Sequence, residues 1–137
     1  MMFFYNSLLC FFYPLLWLVS RFHKRLGENF ALRAHLPDFA AAKGKTHIWF
    51  HASSAGEFEQ VRAVAVEFKK NYPQTKFFFS FSFFSDSAYR AKKNDSIPDI
   101  LFALPFDFSW RMKRLVRAMR PDALVIGKYD AWANQVL

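Results

Sequence analysis

Ile48-Trp49-Phe50-His51-Ala52-Ser53-Ser54-Ala55-Gly56-Glu57-Phe58-Glu59-Gln60 is the stretch whose reading decides the fold. Ile48 to His51 is a short apolar run of strand type, Ala52 to Gly56 is a turn of small residues, and a helical pattern begins directly afterwards. Strand, loop and helix N-terminus in that order mark the place where open α/β sheets bind ligands. Glu57 admits two roles there. With Ser54 it completes an S-x-x-E capping box, the serine oxygen accepting the N3 amide and the glutamate reaching back towards the cap. A carboxylate so placed also has the chemistry of a general base.

Outward from this stretch, strands and helices alternate. Glu57 to Asn71 carries Val61, Val64, Ala65 and Phe68 at i, i+3, i+4 and i+7, the stripe of an amphipathic helix, and Tyr72-Pro73 ends it. Lys76 to Phe84 then reads as a strand that is apolar on both faces in its first half, as an interior strand covered on two sides would be. A nucleic-acid stacking platform is the competing reading of so many aromatics, but it wants alternating polar positions and adjacent basic residues. Ser85-Asp86-Ser87 can cap a short helix through Lys93, Ile100 to Phe106 is a third strand, and Asp107 or Ser109 can cap a helix with the stripe Met112, Leu115, Val116 and Met119. Asp122 to Gly127 is a fourth strand. The β-α-β-α-β-α-β order predicts a Rossmann-like α/β fold, a parallel sheet with flanking helices.

Composition narrows the partners. Lys plus Arg number 19 against 11 acidic residues, and the net charge of +8 favours a polyanion: nucleic acid, an anionic bilayer or a phosphorylated substrate. On the last helix Lys113, Arg114, Arg117 and Arg120 have no acid to pair with. They form either a solvated face or an anion-binding surface, for which Lys113, Arg117 and Arg120 are the candidates. One cysteine, Cys10, excludes an intramolecular disulfide and a cysteine metal cluster. Gly-rich phosphate loops, a nucleophile elbow and zinc spacings are absent, so no cofactor or metal is expected. A membrane-tethered nucleic-acid binder would use the same charge, but the chain has no recognised nucleic-acid module and its aromatics read as buried, so nucleic acid is not the expected partner.

Residues 1–20 carry no charge, and a helix of that length spans about 30 Å, enough for a bilayer core. Arg21, His23, Lys24 and Arg25 follow, which predicts a single-pass transmembrane anchor at 1–20 with the remainder cytoplasmic. A buried or interfacial helix is the alternative. Residues 21–45, punctuated by Gly27, Pro37 and Gly44, read as a juxtamembrane connector with a short helix over Asn29–Leu36. Residues 46–137 read as the main domain.

Four stretches, in order, carry a resemblance. Ile48 to Phe58 resembles the N-terminal signature of the 3-deoxy-D-manno-octulosonic acid (Kdo) transferases, and Phe83-Phe84-Ser85-Asp86-Ser87-Ala88-Tyr89 is similar to that family's Ser-Pro-Ser-Gly segment. Leu104-Pro105-Phe106-Asp107 resembles its Leu-Pro-x-Asp, and Trp132-Ala133-Asn134 its Trp-Pro-Asn. The resemblance implies the N-terminal, acceptor-binding half of a GT-B fold and a place at the cell inner membrane. It further implies an inverting glycosyltransferase that moves Kdo from CMP-Kdo to the lipid A precursor in lipopolysaccharide biosynthesis. Glu57 would be the catalytic base, with Ser53, Ser54, Gly56 and Asp130 around the acceptor. Lys128 stands where the family has the first acid of Glu-Thr-Glu, and Asp130 stands for the second. The family continues past Leu137 into a donor domain, so the chain alone is expected to be inactive. A non-catalytic, membrane-anchored acceptor-binding module is the alternative.

Overall fold

The computed structural model describes residues 2–128 and 132–135. Its elements are α1 (Met2–Ser20), α2 (Lys24–Leu32), a 3-10 turn at Ala40–Ala42, β1 (Thr46–Ala52), α3 (Ala55–Asn71), β2 (Phe77–Phe83), α4 (Asp86–Lys92), β3 (Ile100–Ala103), α5 (Ser109–Met119) and β4 (Ala123–Ile126). The four strands form one parallel sheet in the order β3-β2-β1-β4. The chain therefore winds outward from β1 to β3, then crosses back over β1 to lay down β4. Strand order reverses between β1 and β4, the point beyond whose carboxyl ends open α/β sheets place their ligand sites.

Alternation along the strands gives each face its own core. Ile48, Phe50 and Ala52 of β1 and Phe79, Phe81 and Phe83 of β2 pack with Phe58, Val61 and Ala65 of α3. Trp49, Phe78, Phe102 and Leu104 pack on the opposite side with Met112, Leu115 and Met119 of α5. The phenylalanine run of β2 is thus core on both faces, as expected of an interior strand. Phe50 stacks on Phe81 at 4.7 Å between ring centroids, and Phe58 on Phe83 at 5.4 Å.

Polar groups are threaded through the α5 side of the sheet. His47 Nδ1 donates to the Met119 carbonyl at 2.9 Å, and Nε2 accepts from the Ser80 hydroxyl at 2.8 Å. Trp49 Nε1 donates to Ser82 Oγ at 2.8 Å, and that hydroxyl lies 2.8 Å from His51 Nδ1. Burial pushes the His47 pKa below its ordinary 6.5, while the Met119 carbonyl opposes the shift. His47 and His51 are packed residues of the sheet.

Three expectations change. The span over 1–20 is not supported: among the described residues no helix is long and apolar enough to cross a membrane. Instead, one side of α1 docks on the domain. Tyr5 donates to Asp107 at 2.8 Å, Asn134 Nδ2 to Asn6 Oδ1 at 3.0 Å, and Arg111 to the Tyr13 hydroxyl at 2.9 Å. Neither Asp107 nor Ser109 caps α5, whose N-cap residue is Phe108 without a side-chain bond; Asp107 Oδ2 instead accepts from Tyr5 and from the Asn134 amide at 3.1 Å. The connector helix is Lys24–Leu32 rather than Asn29–Leu36. It ends where Arg33 turns inward.

Candidate functional site

β1 delivers its last residues to the switch point, and α3 begins there. Ser54 is the N-cap residue of α3, its hydroxyl accepting from the Glu57 amide at 3.3 Å. The Glu57 carboxylate reaches back through Oε2 to the Ser53 amide at 2.7 Å, one residue before the cap. The capping box expected from Ser54 and Glu57 is therefore present with its return bond shifted. Glu57 Oε1 makes no hydrogen bond among the described residues, and the side chain is half-buried.

Neighbouring loops fix this turn. The Phe84 and Ser85 amides donate to the carbonyls of Ala52 and Ser53 at 3.3 and 3.2 Å, and the Gly127 amide to His51 at 2.9 Å. Gly127 ends β4 against Glu57: a Cβ there would lie 3.1 Å from Glu57 Cβ and 3.4 Å from the His51 carbonyl oxygen. Only glycine lets β4 come this close to the glutamate. Lys128 follows at φ 60°, a left-handed backbone that costs a non-glycine residue strain.

Among the expected acceptor residues, Ser53, Ser54 and Gly56 gather around Glu57. Ser54 Oγ serves as the cap, whereas Ser53 Oγ is buried with no partner among the described residues. Gly56 faces open space, with nothing within 4 Å of a built Cβ. Asp130 lies outside the described residues. Lys113, Arg117 and Arg120 are exposed on α5, which covers the face of the sheet opposite α3. Arg120 ends that helix at φ 47° beside the start of β1, at the far end of the strands from Glu57. The three are not brought to the Glu57 turn.

Residues the sequence did not point to complete the upper rim. Arg33, 3% exposed, donates from Nε to Asn29 Oδ1 at 2.8 Å and from its two terminal nitrogens to the carbonyls of Leu104 and Phe84. Its guanidinium lies between the Phe84 and Phe106 rings, 5.0 and 5.3 Å from their centroids. A groove of about 860 Å³ runs past it, bounded by Arg25, Glu28, Asp86, Ser87 and Arg90. Between α1 and the sheet is an apolar cavity of about 210 Å³, lined by Phe12, Tyr13, Phe106, Asp107 and Trp132 among others. Burial raises the Asp107 pKa above its ordinary value, and its bonds from Asn134 and Tyr5 oppose the rise. Asp107 and Asn134 belong to motifs visible in the sequence. Arg33 had no such signal, being one basic residue among several in a polar connector.

Among the described residues no group of three or more His, Cys, Asp or Glu side chains is placed to hold a metal ion. The arrangement offers a carboxylate with one oxygen anchored and the other without a hydrogen bond among the described residues, at the carboxyl end of β1.

Comparison with known proteins agrees with the motifs. The sequence model of the family described as 3-deoxy-D-manno-octulosonic-acid transferase (kdotransferase) matches residues 20–137. A 3-deoxy-D-manno-octulosonic acid transferase of Chlamydophila psittaci is 30% identical over 86 residues, covering 63% of this chain and 20% of the relative. One from Chlamydia trachomatis serovar D is 24% identical over 87 residues, covering 64% and 20%. Another, from Aquifex aeolicus, is 26% identical over 108 residues, covering 77% and 29%. The matched part of the chain thus spans a fifth to under a third of these relatives' length.

Proposed function

Because the chain belongs to the 3-deoxy-D-manno-octulosonic-acid transferase family, we propose that it forms the acceptor-binding N-terminal portion of an inverting Kdo transferase acting on the lipid A precursor. The observation that carries the proposal is Glu57, held by the Ser53 amide at 2.7 Å through one oxygen and without a hydrogen bond at the other, where strand order reverses between β1 and β4. Glu57 Oε1 takes the proton of an acceptor hydroxyl. The freed oxygen attacks the anomeric carbon of Kdo from the face opposite the nucleotide, and CMP leaves with the bonding electrons. Ser53 and the open space at Gly56 admit the acceptor sugar, and CMP-Kdo is held by a second domain of the kind the family carries.

The same reading places the protein on the cytoplasmic face of the inner membrane. Phe4, Leu8, Phe11, Leu15 and Leu18 form an exposed apolar stripe on the side of α1 turned from the domain, and Arg21, Lys24 and Arg25 follow it. Such a helix attaches by lying in the interface with its basic flank at the headgroups.

The test joins residues 1–137 to the donor domain of a related Kdo transferase and measures transfer to lipid A precursor. Glu57→Gln keeps a capping side chain, so stability should fall by at most about 1 kcal/mol. Transfer should fall about a hundredfold or more. Full activity of the Glu57→Gln chimera would remove Glu57 as base. A chimera that binds acceptor but transfers nothing even unsubstituted would favour a binding module, in line with Lys128 replacing a family acid.

A further inference from the structure

A second cavity, of about 220 Å³, opens between the end of α2, the segment after β3 and the first turn of α5. Arg33, Arg111 and Arg114 line it with Trp110, Leu36 and Pro105, and no acidic residue does. Like charges collected around one hollow repel each other, and the nearby acids Glu28 and Asp86 make their ion pairs with Arg90, at 3.2 and 3.1 Å, so that Asp86 reaches Arg33 only as a charge at longer range. Arg33 makes no ion pair among the described residues, its partners being an amide and two uncharged carbonyls. Those three bonds leave part of its five-donor fork unspent. Burial lowers its pKa, and the charge of Asp86 opposes the shift.

Arg111 is fixed differently. Its guanidinium lies 4.9 Å from the Trp110 ring centroid, 5.2 Å from Tyr13 and 5.6 Å from Phe108, and donates once to the Tyr13 hydroxyl. Stacking holds the plane and leaves edge N–H groups for a ligand. Arg114, one turn on, makes no hydrogen bond or ion pair among the described residues. The first turn of α5 beside them has neither an acid nor a capping side chain, so its amides add positive potential to the hollow.

We propose that this cavity binds a phosphate group through Arg33, Arg111 and Arg114. Three guanidinium groups lining one hollow without a carboxylate match the oxygens of a phosphate monoester or diester, and a phosphate supplies the direct ion pair that Arg33 does not make within the chain. The group can come from a lipid headgroup or from a soluble phosphate ester. The exposed Trp110 and the adjoining α1 set the opening where a headgroup would arrive. The site is separate from the Glu57 turn, and its test reads binding rather than transfer, so either can fail without the other.

The experiment measures partition of the full chain onto phosphatidylcholine vesicles containing phosphatidate or, at equal surface charge, oleate. Phosphatidate should bind about tenfold or more tighter than oleate, since only phosphate matches the forks. R111Q/R114Q should bring that ratio towards one, and R33K should lower it. K113Q/R117Q, which removes the same charge from the outer face of α5, should weaken both partitions and keep the ratio. Displacement by inorganic phosphate would identify a site open to soluble esters, and retention would identify one that needs the lipid-held group. A ratio near one for the unsubstituted chain, or equal loss of the ratio in R111Q/R114Q and K113Q/R117Q, would overturn the proposal. Arg114 is exposed and unpaired, so R114Q alone carries the comparison if R33K does not fold, with circular dichroism as the check on fold.

Discussion

Glu57 depends on Gly127 as much as on its own bonds. A methyl group at 127 would sit 3.1 Å from Glu57 Cβ, closer than packed carbons tolerate, and both partners are backbone or near-backbone atoms with little freedom to move. Gly127→Ala should therefore cost about 1–3 kcal/mol in urea unfolding. It should also lower transfer by the chimera more than stability explains, about tenfold or more, because small misplacements of a reacting group are expensive. A fully active Gly127→Ala chimera would show that the close approach is incidental. Asp107 gives a test by pH. Its native pKa lies above its ordinary 3.8, so between those values the folded state binds more protons than the unfolded one, and this carboxylate's contribution to stability falls as pH rises through that window. Asp107→Asn cannot titrate, and its amide can still accept the bonds from Tyr5 and Asn134. Its stability relative to the unsubstituted chain should improve as pH rises from near 4, read as a difference in thermal midpoint at each pH. A constant difference would mean that Asp107 ionises as freely folded as unfolded.

The interior strand carries the stability of the domain. Phe81 is 1% exposed and meets Phe50 at 4.7 Å and Phe58 at 5.3 Å, so it joins β1, β2 and α3 at one point. Phe81→Ala should cost about 3–5 kcal/mol. That is a large share of the 5–15 kcal/mol typical of a domain, so the variant should show a greatly lowered urea midpoint. On the other face of the same strands His47 is buried neutral. Its folded pKa lies below the unfolded 6.5, so its share of stability is complete above 6.5 and is lost as pH falls below that value. His47→Gln should remove this part of the acid sensitivity, visible as a flatter midpoint-pH curve. Element type was legible because apolar periodicity and turn residues act locally: α3 and β2 fall where the stripe at Val61, Val64, Ala65 and Phe68 and the run from Phe77 placed them, although Val64, at the edge of that stripe, is exposed. Ser80 and Ser82 look like ordinary polar positions, and their burial became understandable only once β1 set Trp49 and His51 opposite them, with His47 bonding the Ser80 hydroxyl and Trp49 that of Ser82. The crossing of β4 to the far side of β1, and the inward turn of Arg33, likewise depend on long-range pairings that no local pattern encodes.

At the scale of the molecule, the question is what holds α1. Three polar residues of a largely apolar helix, Tyr5, Asn6 and Tyr13, bond to Asp107, Asn134 and Arg111, and Tyr13 meets the Phe108 ring at 4.9 Å. These residues recur at helical spacing on one side, while Phe4, Leu8, Phe11, Leu15 and Leu18 recur on the other. A helix that crossed a bilayer would have to withdraw the first set from its partners and place them in hydrocarbon, leaving Asp107 buried without its tyrosine. A helix lying in the interface keeps them and buries only the outer stripe. The two arrangements predict opposite responses to one change. With Leu8, Phe11 and Leu15 replaced by Ser, an interfacial helix stays docked and the protein leaves lipid vesicles, the loss growing with the apolar area removed. With Tyr5 and Tyr13 replaced by Phe, the outer stripe is intact and vesicle binding should persist. The domain should then unfold earlier by about 1–3 kcal/mol, the usual net worth of two hydrogen bonds. Flotation with vesicles, paired with urea unfolding in detergent, reads both. Protease protection decides the remaining point: a docked helix leaves both its ends on the side to which protein was added, whereas an N-terminal tag shielded inside sealed vesicles would establish a span and end the interfacial reading.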